Sequence, residues 1–161
     1  MTFDVSKTGL WAAAFFVLLI HTAWITWVDL RQMIIPDRAN LSLGLVGLLW
    51  IWILGQSLPW QIAQMASAGL LLWLVKYYYV RLRHYEGLGL GDVKFTIAAT
   101  AWVGLIGLPW LILIASISAL ATVIMFHLAR RKHTVETRVP FGPHLCTGLL
   151  ATWFALSYGY I

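Results

Sequence analysis

Asp29 and Asp92 are the side chains of this sequence best suited to do chemistry. Asp29 closes an apolar run in WITWVDLRQMIIPD, and Asp92 opens another in EGLGLGDVKFTIAATAW. A carboxylate in or beside a membrane-length apolar segment is costly to place, so each asks for a reason. Of the six Asp and Glu residues, Asp4 falls in the N-terminal tail and Glu136 in a basic loop, where solvation suffices. Asp29, Asp37, Glu86 and Asp92 remain. Two carboxylates sharing a poorly solvated site hold one proton between them rather than ionising together. The charged member can take a proton from a water attacking a peptide carbonyl, while the protonated member donates to the carbonyl oxygen. Taken singly, Asp29 reads equally well as an interfacial residue paired with Arg31 or Arg38. Asp92 alone reads equally well as a helix N-cap.

The setting of Asp92 tips the balance, because Gly87, Gly89 and Gly91 precede it. In a chain of this composition a G-x-G-D string is expected about 0.03 times by chance. Glycine there frees the backbone and lets a substrate strand come close. Lys94 would bear on a neighbouring carboxylate, although a Lys at a span end commonly snorkels to the interface. Glu86 and Asp37 suit either a basic peptide or structural pairing with Arg81, Arg83 or Arg38, and pairing is the better fit. Pro140, Phe141, Gly142 and Pro143 break the chain and start the last helix, with lining of the site as the sharper reading. His21, His127 and His144 form no metal-ligand spacing with Cys146 or a carboxylate, so neither a metal nor another cofactor is expected. One cysteine excludes an intrachain disulfide framework and a Cys-only zinc site.

The elements that must position these groups follow from composition. The chain has 161 residues, of which 61% are hydrophobic and 11% charged, and its mean hydropathy is +0.81. A water-soluble domain carries roughly 25% charged residues, so most of this exterior faces lipid. Disorder and collagen-like repeats are excluded by the abundance of large apolar side chains and the absence of a glycine period. A helix spanning a hydrocarbon core of about 30 Å needs roughly 20 apolar residues. Six segments offer approximately that: 9–28, 41–58, 60–80, 93–108, 109–128 and 141–160. The first exceeds a signal-peptide core of ~7 to 15 residues and is read as a retained span. The connections are too short for a second domain, so 1–161 is one integral-membrane domain.

Lys and Arg are retained on the cytoplasmic side of a membrane. Arg31 and Arg38 follow segment one, Lys76, Arg81, Arg83 and Lys94 follow or flank the connection after segment three, and Arg130, Arg131, Lys132 and Arg138 follow segment five. The connections after segments two and four hold none. Both termini are therefore expected outside, with Asp29 and Asp92 at the cytoplasmic face. The +5 charge is a topology signal, and no nucleic-acid partner is expected. Trp24, Trp27, Trp60, Trp110, Trp153, Tyr77, Tyr78 and Tyr79 fall near span ends, where amphipathic rings favour the interface.

The motifs resemble those of the type IV prepilin peptidases, membrane aspartic proteases of the G-x-G-D class. That family's second motif reads approximately E-x-M-G-x-G-D-x-K, and Glu86, Gly87, Leu88, Gly89, Leu90, Gly91, Asp92, Val93 and Lys94 follow it closely. Its first motif is an Asp followed seven residues later by Pro and Asp or Asn, matched by Asp29, Pro36 and Asp37. A P-F-G-P string before the last helix matches Pro140, Phe141, Gly142 and Pro143. The resemblance implies that Asp29 and Asp92 are the catalytic pair and that Gly89 and Gly91 shape the backbone beside the second. It implies prepilin or pseudopilin substrates, cut on the cytoplasmic side after a glycine that follows a short basic leader. Many bacterial members carry a second Asp two residues after the first, where this chain has Arg31. The larger bifunctional members also carry an N-terminal region, often with paired cysteines, that accompanies methylation and that this sequence does not show, so cleavage is the activity expected and methyl transfer is left open.

The expectation is thus an all-α, polytopic enzyme of the bacterial inner membrane with about six transmembrane helices, serving a pilus or secretion machine. Its substrate helix would lie in the bilayer with an unwound segment at the scissile bond. A small transporter using the aspartates as an ion relay is the first rival, favoured by carboxylates at midplane. A non-enzymatic assembly subunit is the second, and it predicts that both aspartates tolerate Asn.

Overall fold

The protein is described here by a computed structural model covering residues 5–83, 89–128 and 139–159. Among the described residues there are five helices: α1 (Val5–Gln32), α2 (Asp37–Ile53), α3 (Leu58–Arg83), α4 (Leu90–Leu128) and α5 (Gly142–Ser157). The Gly9–Gln32 stretch of α1, α3 and α4 are long and apolar enough to cross a membrane. At 17 and 16 residues, α2 and α5 are shorter. The surface is dominated by large apolar side chains, with Ile106 81% and Leu82 77% exposed. Only hydrocarbon makes such a surface stable, and helices satisfy their backbone internally there. The fold is that of an all-α membrane protein.

The helix count is one fewer than the six apolar segments, because segments four and five are the two arms of α4. A straight helix of 39 residues would run about 58 Å, nearly twice a hydrocarbon core. It breaks at Gly104, which takes φ 65° and ψ 178°, a combination open to glycine and very few others. The sequence places this break at Pro109. That residue instead falls just past the first turn of the second arm, inside the helix.

Two glutamines on α3 satisfy the backbone groups that the break releases. Gln61 Nε2 donates to the Thr100 carbonyl at 2.6 Å, and the Leu105 N–H donates to Gln64 Oε1 at 2.7 Å. Gln64 Nε2 in turn approaches Gln61 Oε1 at 3.4 Å. In an unbroken helix those backbone groups would pair with residues 104 and 101. The Gln64 carbonyl takes the N–H just after the break, and the Gln61 amide donates to a carbonyl just before it.

The arms run in opposite directions. Along the first arm, Ala98 meets Gly44 and Ala101 meets Gly47, so this arm lies parallel to α2. Along the second, Gly107 meets Thr152 and Leu156, Leu111 meets Gly148, and Ser118 meets His144. The second arm is therefore antiparallel to α5. Glycine at these crossings lets backbones approach, as small residues do in helix packing within lipid. A Cβ on Gly47 would lie 2.6 Å from the Ala101 methyl.

Leu18, Ile25, Leu43, Phe95, Leu111 and Leu149 fill the interior without exposure. At the end of the bundle remote from Asp29, Trp11 packs against Trp50 at 5.1 Å and Trp153 at 5.7 Å between ring centroids. Trp50 continues the contact to Trp102 at 6.5 Å. Trp24, Trp27, Trp60 and Trp110 are exposed as expected of interfacial rings, whereas Trp153 is buried. The correction has a simple cause: Trp153 faces α1, where Trp11 and Phe15 cover it.

Candidate active site

Asp29 sits in the last turn of α1 and is only 4% exposed. The chain leaves that helix through Met33 at φ 55° and reaches Pro36, whose extended backbone (φ −65°, ψ 131°) starts α2. Proline lacks the N–H that would continue α1 and keeps the preceding residue extended. Ile35, held inside this turn at 8% exposure, packs against the α position of Gly91, where a Cβ would lie 3.4 Å from the Ile35 Cβ. The turn after α1 is thereby seated on the start of α4, which carries Asp92.

Asp92 occupies the third position of α4, with Gly89 as the cap. Its carboxylate accepts a hydrogen bond from the Gly89 N–H, and the Val93 N–H donates to the Gly89 carbonyl at 3.3 Å. An acidic side chain reaching back to the cap is one half of a capping box. Asp92 is therefore not the N-cap itself. The carboxylates of Asp29 and Asp92 are near enough to interact electrostatically.

The third participant is Gly142. Its N–H donates to Asp29 Oδ2 at 2.8 Å, and a Cβ there would stand 2.7 Å from the same oxygen. Only glycine permits this approach. The adjacent Phe141 caps α5 by accepting from the His144 and Leu145 N–H groups at 3.1 and 3.0 Å. Pro143 sits in the first turn, where no N–H is needed. Pro140 precedes this turn outside the helix. The helix start and the lining of Asp29 are thus one structure.

The other residues singled out by the sequence have plain positions. Lys94 Nζ donates to Asp37 Oδ1 at 2.7 Å and to Oδ2 at 2.8 Å, rather than to Asp92. The partner of Asp37 is therefore Lys94 and not Arg38. Arg31 is not paired with Asp29, since its guanidinium lies 3.9 Å from the centre of the Trp27 ring. Glu86 and Gly87 lie outside the described residues, as does the basic cluster Arg130, Arg131, Lys132 and Arg138. His144 Nδ1 lies 3.0 Å from Ser118 Oγ, and no group of three or more His, Cys, Asp or Glu among the described residues is placed to hold a metal. Cys146 is buried beside Thr26, within electrostatic reach of Asp29.

Sequence reasoning missed Gln61, Gln64 and Asn40. Gln61 and Gln64 are amides inside an apolar run and Asn40 stands immediately before one, which was itself a signal, because such a group needs a partner in lipid.

A profile of the type IV leader peptidase family matches residues 15–124. The chain belongs to that family. As a leader peptidase family member it is 36% identical over 137 residues to the prepilin leader peptidase/N-methyltransferase of Aeromonas salmonicida (strain A449), covering 84% of this chain and 45% of that protein. It is 33% identical over 145 residues to the protein of the same name from Pectobacterium carotovorum subsp. carotovorum, covering 87% and 50%. With that of Escherichia coli (strain K12) it shares 32% identity over 155 residues, covering 96% and 66%. The chain spans about half the length of the first of these relatives. No solved structure matches it.

Proposed function

We propose that the protein is an aspartic endopeptidase that removes the leader peptide of type IV prepilins or pseudopilins at the cytoplasmic face of a bacterial inner membrane. The observation that carries this reading is the meeting of Asp29 and Asp92 at one end of the bundle, in a chain of this family. One carboxylate takes a proton from water, whose oxygen adds to the scissile carbonyl. The other donates its proton to the carbonyl oxygen. Collapse of the tetrahedral intermediate breaks the C–N bond, leaving the leader's carboxylate and a new amino terminus that takes up the proton. Gly142 holds one oxygen of Asp29 in place throughout, and Gly89 holds Asp92.

Reversal of the chain at Gly104 supports six membrane crossings formed by five helices, and in the proposed orientation both termini lie outside with the Asp29 and Asp92 ends of α1 and α4 in the cytoplasm. The distribution of Lys and Arg supports the same orientation.

Leader cleavage of a co-expressed prepilin by wild type, Asp29→Asn and Asp92→Asn tests the proposal. Each substitution keeps shape and is expected to reduce cleavage by about 10²- to 10⁴-fold at normal membrane abundance. Near-normal cleavage by either variant would overturn the two-aspartate mechanism, and an inert wild type would favour a transport or assembly role.

A further inference from the structure

The two aspartates are held by glycine N–H groups of different origin. Gly89 belongs to the same helix start as Asp92, so that bond is local. Gly142 stands 113 positions from Asp29, and its N–H is aimed only as well as the first turn of α5 is placed. That turn has no side-chain cap, since Phe141 occupies the cap position and offers no polar atom. Glycine beside it adds backbone freedom rather than restraint. His144, two residues on, offers the restraint. Its Nδ1 lies 3.0 Å from Ser118 Oγ on the second arm of α4, and its N–H donates to the Phe141 carbonyl at 3.1 Å. Its ring also lies 6.4 Å from that of Phe141 between centroids. Gly142 is thus bracketed by the contacts of one half-buried residue.

We propose that His144 is a positioning residue of the peptidase site, holding the Gly142 N–H on Asp29 through its bond to Ser118. The inference rests on the peptidase reading above and adds to it a residue that acts through the backbone. A serine hydroxyl has one hydrogen, and Ser118 Oγ gives it to the Ala115 carbonyl at 2.9 Å. The hydrogen between the two side chains is therefore carried on Nδ1, and the imidazole is the donor. Ala115 is fully buried, so the oxygen that receives this bond is anchored to the core of the second arm. The chain of contacts runs from that arm through the imidazole to the first turn of α5, and from there to Asp29. A displacement of the turn by about 1 Å would take the Gly142 bond out of range, and a misplacement of that size slows catalysis.

The test is steady-state cleavage of a type IV prepilin by the full-length chain in detergent, with Tm recorded, for wild type, His144→Phe, Ser118→Ala and His144→Asn. Loss of this hydrogen bond is expected to lower kcat about three- to tenfold in both His144→Phe and Ser118→Ala, with KM within about twofold of wild type. His144→Asn, which keeps an N–H on the atom next to Cγ, is expected to recover most of the rate. The route through Gly142 is read in Gly142→Ala, where the bond to Asp29 is already lost. Adding His144→Phe to that variant is expected to slow it less than about twofold, because the two residues act in series. A merely structural His144 lowers Tm and leaves kcat per folded enzyme alone. That result, or effects of the two substitutions that multiply, overturns the proposal. Should His144→Phe fail to accumulate, Ser118→Ala leaves the imidazole in place and decides by the same criteria. An inert wild type in the same assay removes the peptidase reading first and is distinct from either result.

Discussion

A single methyl group at Gly142 would occupy the space that Asp29 Oδ2 needs, 2.7 Å away. Gly142→Ala is expected to push the carboxylate off its N–H donor and to lower kcat/KM about tenfold to a hundredfold, the range for a hydrogen bond to a charged group. Cleavage rate normalised to membrane abundance checks it, and an unchanged rate would mean the bond has no part in catalysis. The Asp37 and Lys94 pair is a contrasting case. Their side chains are 72% and 50% exposed, so Asp37→Asn is expected to cost less than about 1 kcal/mol of stability, read as a small shift in Tm. At this scale the sequence marked Asp29 and Asp92 because a carboxylate beside an apolar run is conspicuous. It could not reveal that the N–H of Gly142 reaches Asp29, since no residue type announces which backbone group a side chain will meet across 113 positions of chain.

Among the elements, α4 departs most from what the sequence suggests. Proline is the conspicuous breaker in GLIGLPW, yet the chain turns at Gly104 because there a Gln pair stands ready to take the released carbonyl and N–H. A backbone reversal of this kind needs a glycine and partners for the polar groups it frees. Gly104→Ala would force an L-residue into φ 65° and is expected to destabilise by about 1 to 3 kcal/mol. Gln64→Leu, which strands the Leu105 N–H in an apolar environment, is expected to cost a similar amount. Thermal unfolding in detergent measures both. Tm values equal to wild type would show that water or lipid takes over the role of the glutamines.

For the whole molecule, composition alone excluded a soluble domain, and the exposed apolar surface agrees with it. The number of apolar segments was legible, but their grouping into five helices was not, since whether two runs join as one element depends on a single dihedral pair. The proposed orientation predicts the outcome of cysteine labelling with a membrane-impermeant reagent. Arg38→Cys and Arg83→Cys should react only after permeabilisation from the cytoplasmic side, and Ser57→Cys should react in intact spheroplasts. The native Cys146, buried, contributes little background.

The bonds already described form a closed circuit. Asp92 stands on the first arm of α4, Gly104 joins that arm to the second, the second arm packs on α5, and the first N–H of α5 grips Asp29. An angle at the far end of the bundle therefore bears on the distance between the two carboxylates, alongside the direct seating of the turn after α1 on the start of α4 at Ile35 and Gly91. From Gly104 to Asp92 the arm is about 18 Å long, so a change of some 3° at the glycine swings the Asp92 end by about 1 Å. A misplacement of that size is enough to slow catalysis about a hundredfold. Gly104 acts as the pivot of a pair of tongs whose jaws are the aspartates, and substitutions there are expected to depress kcat well beyond any loss of folded protein.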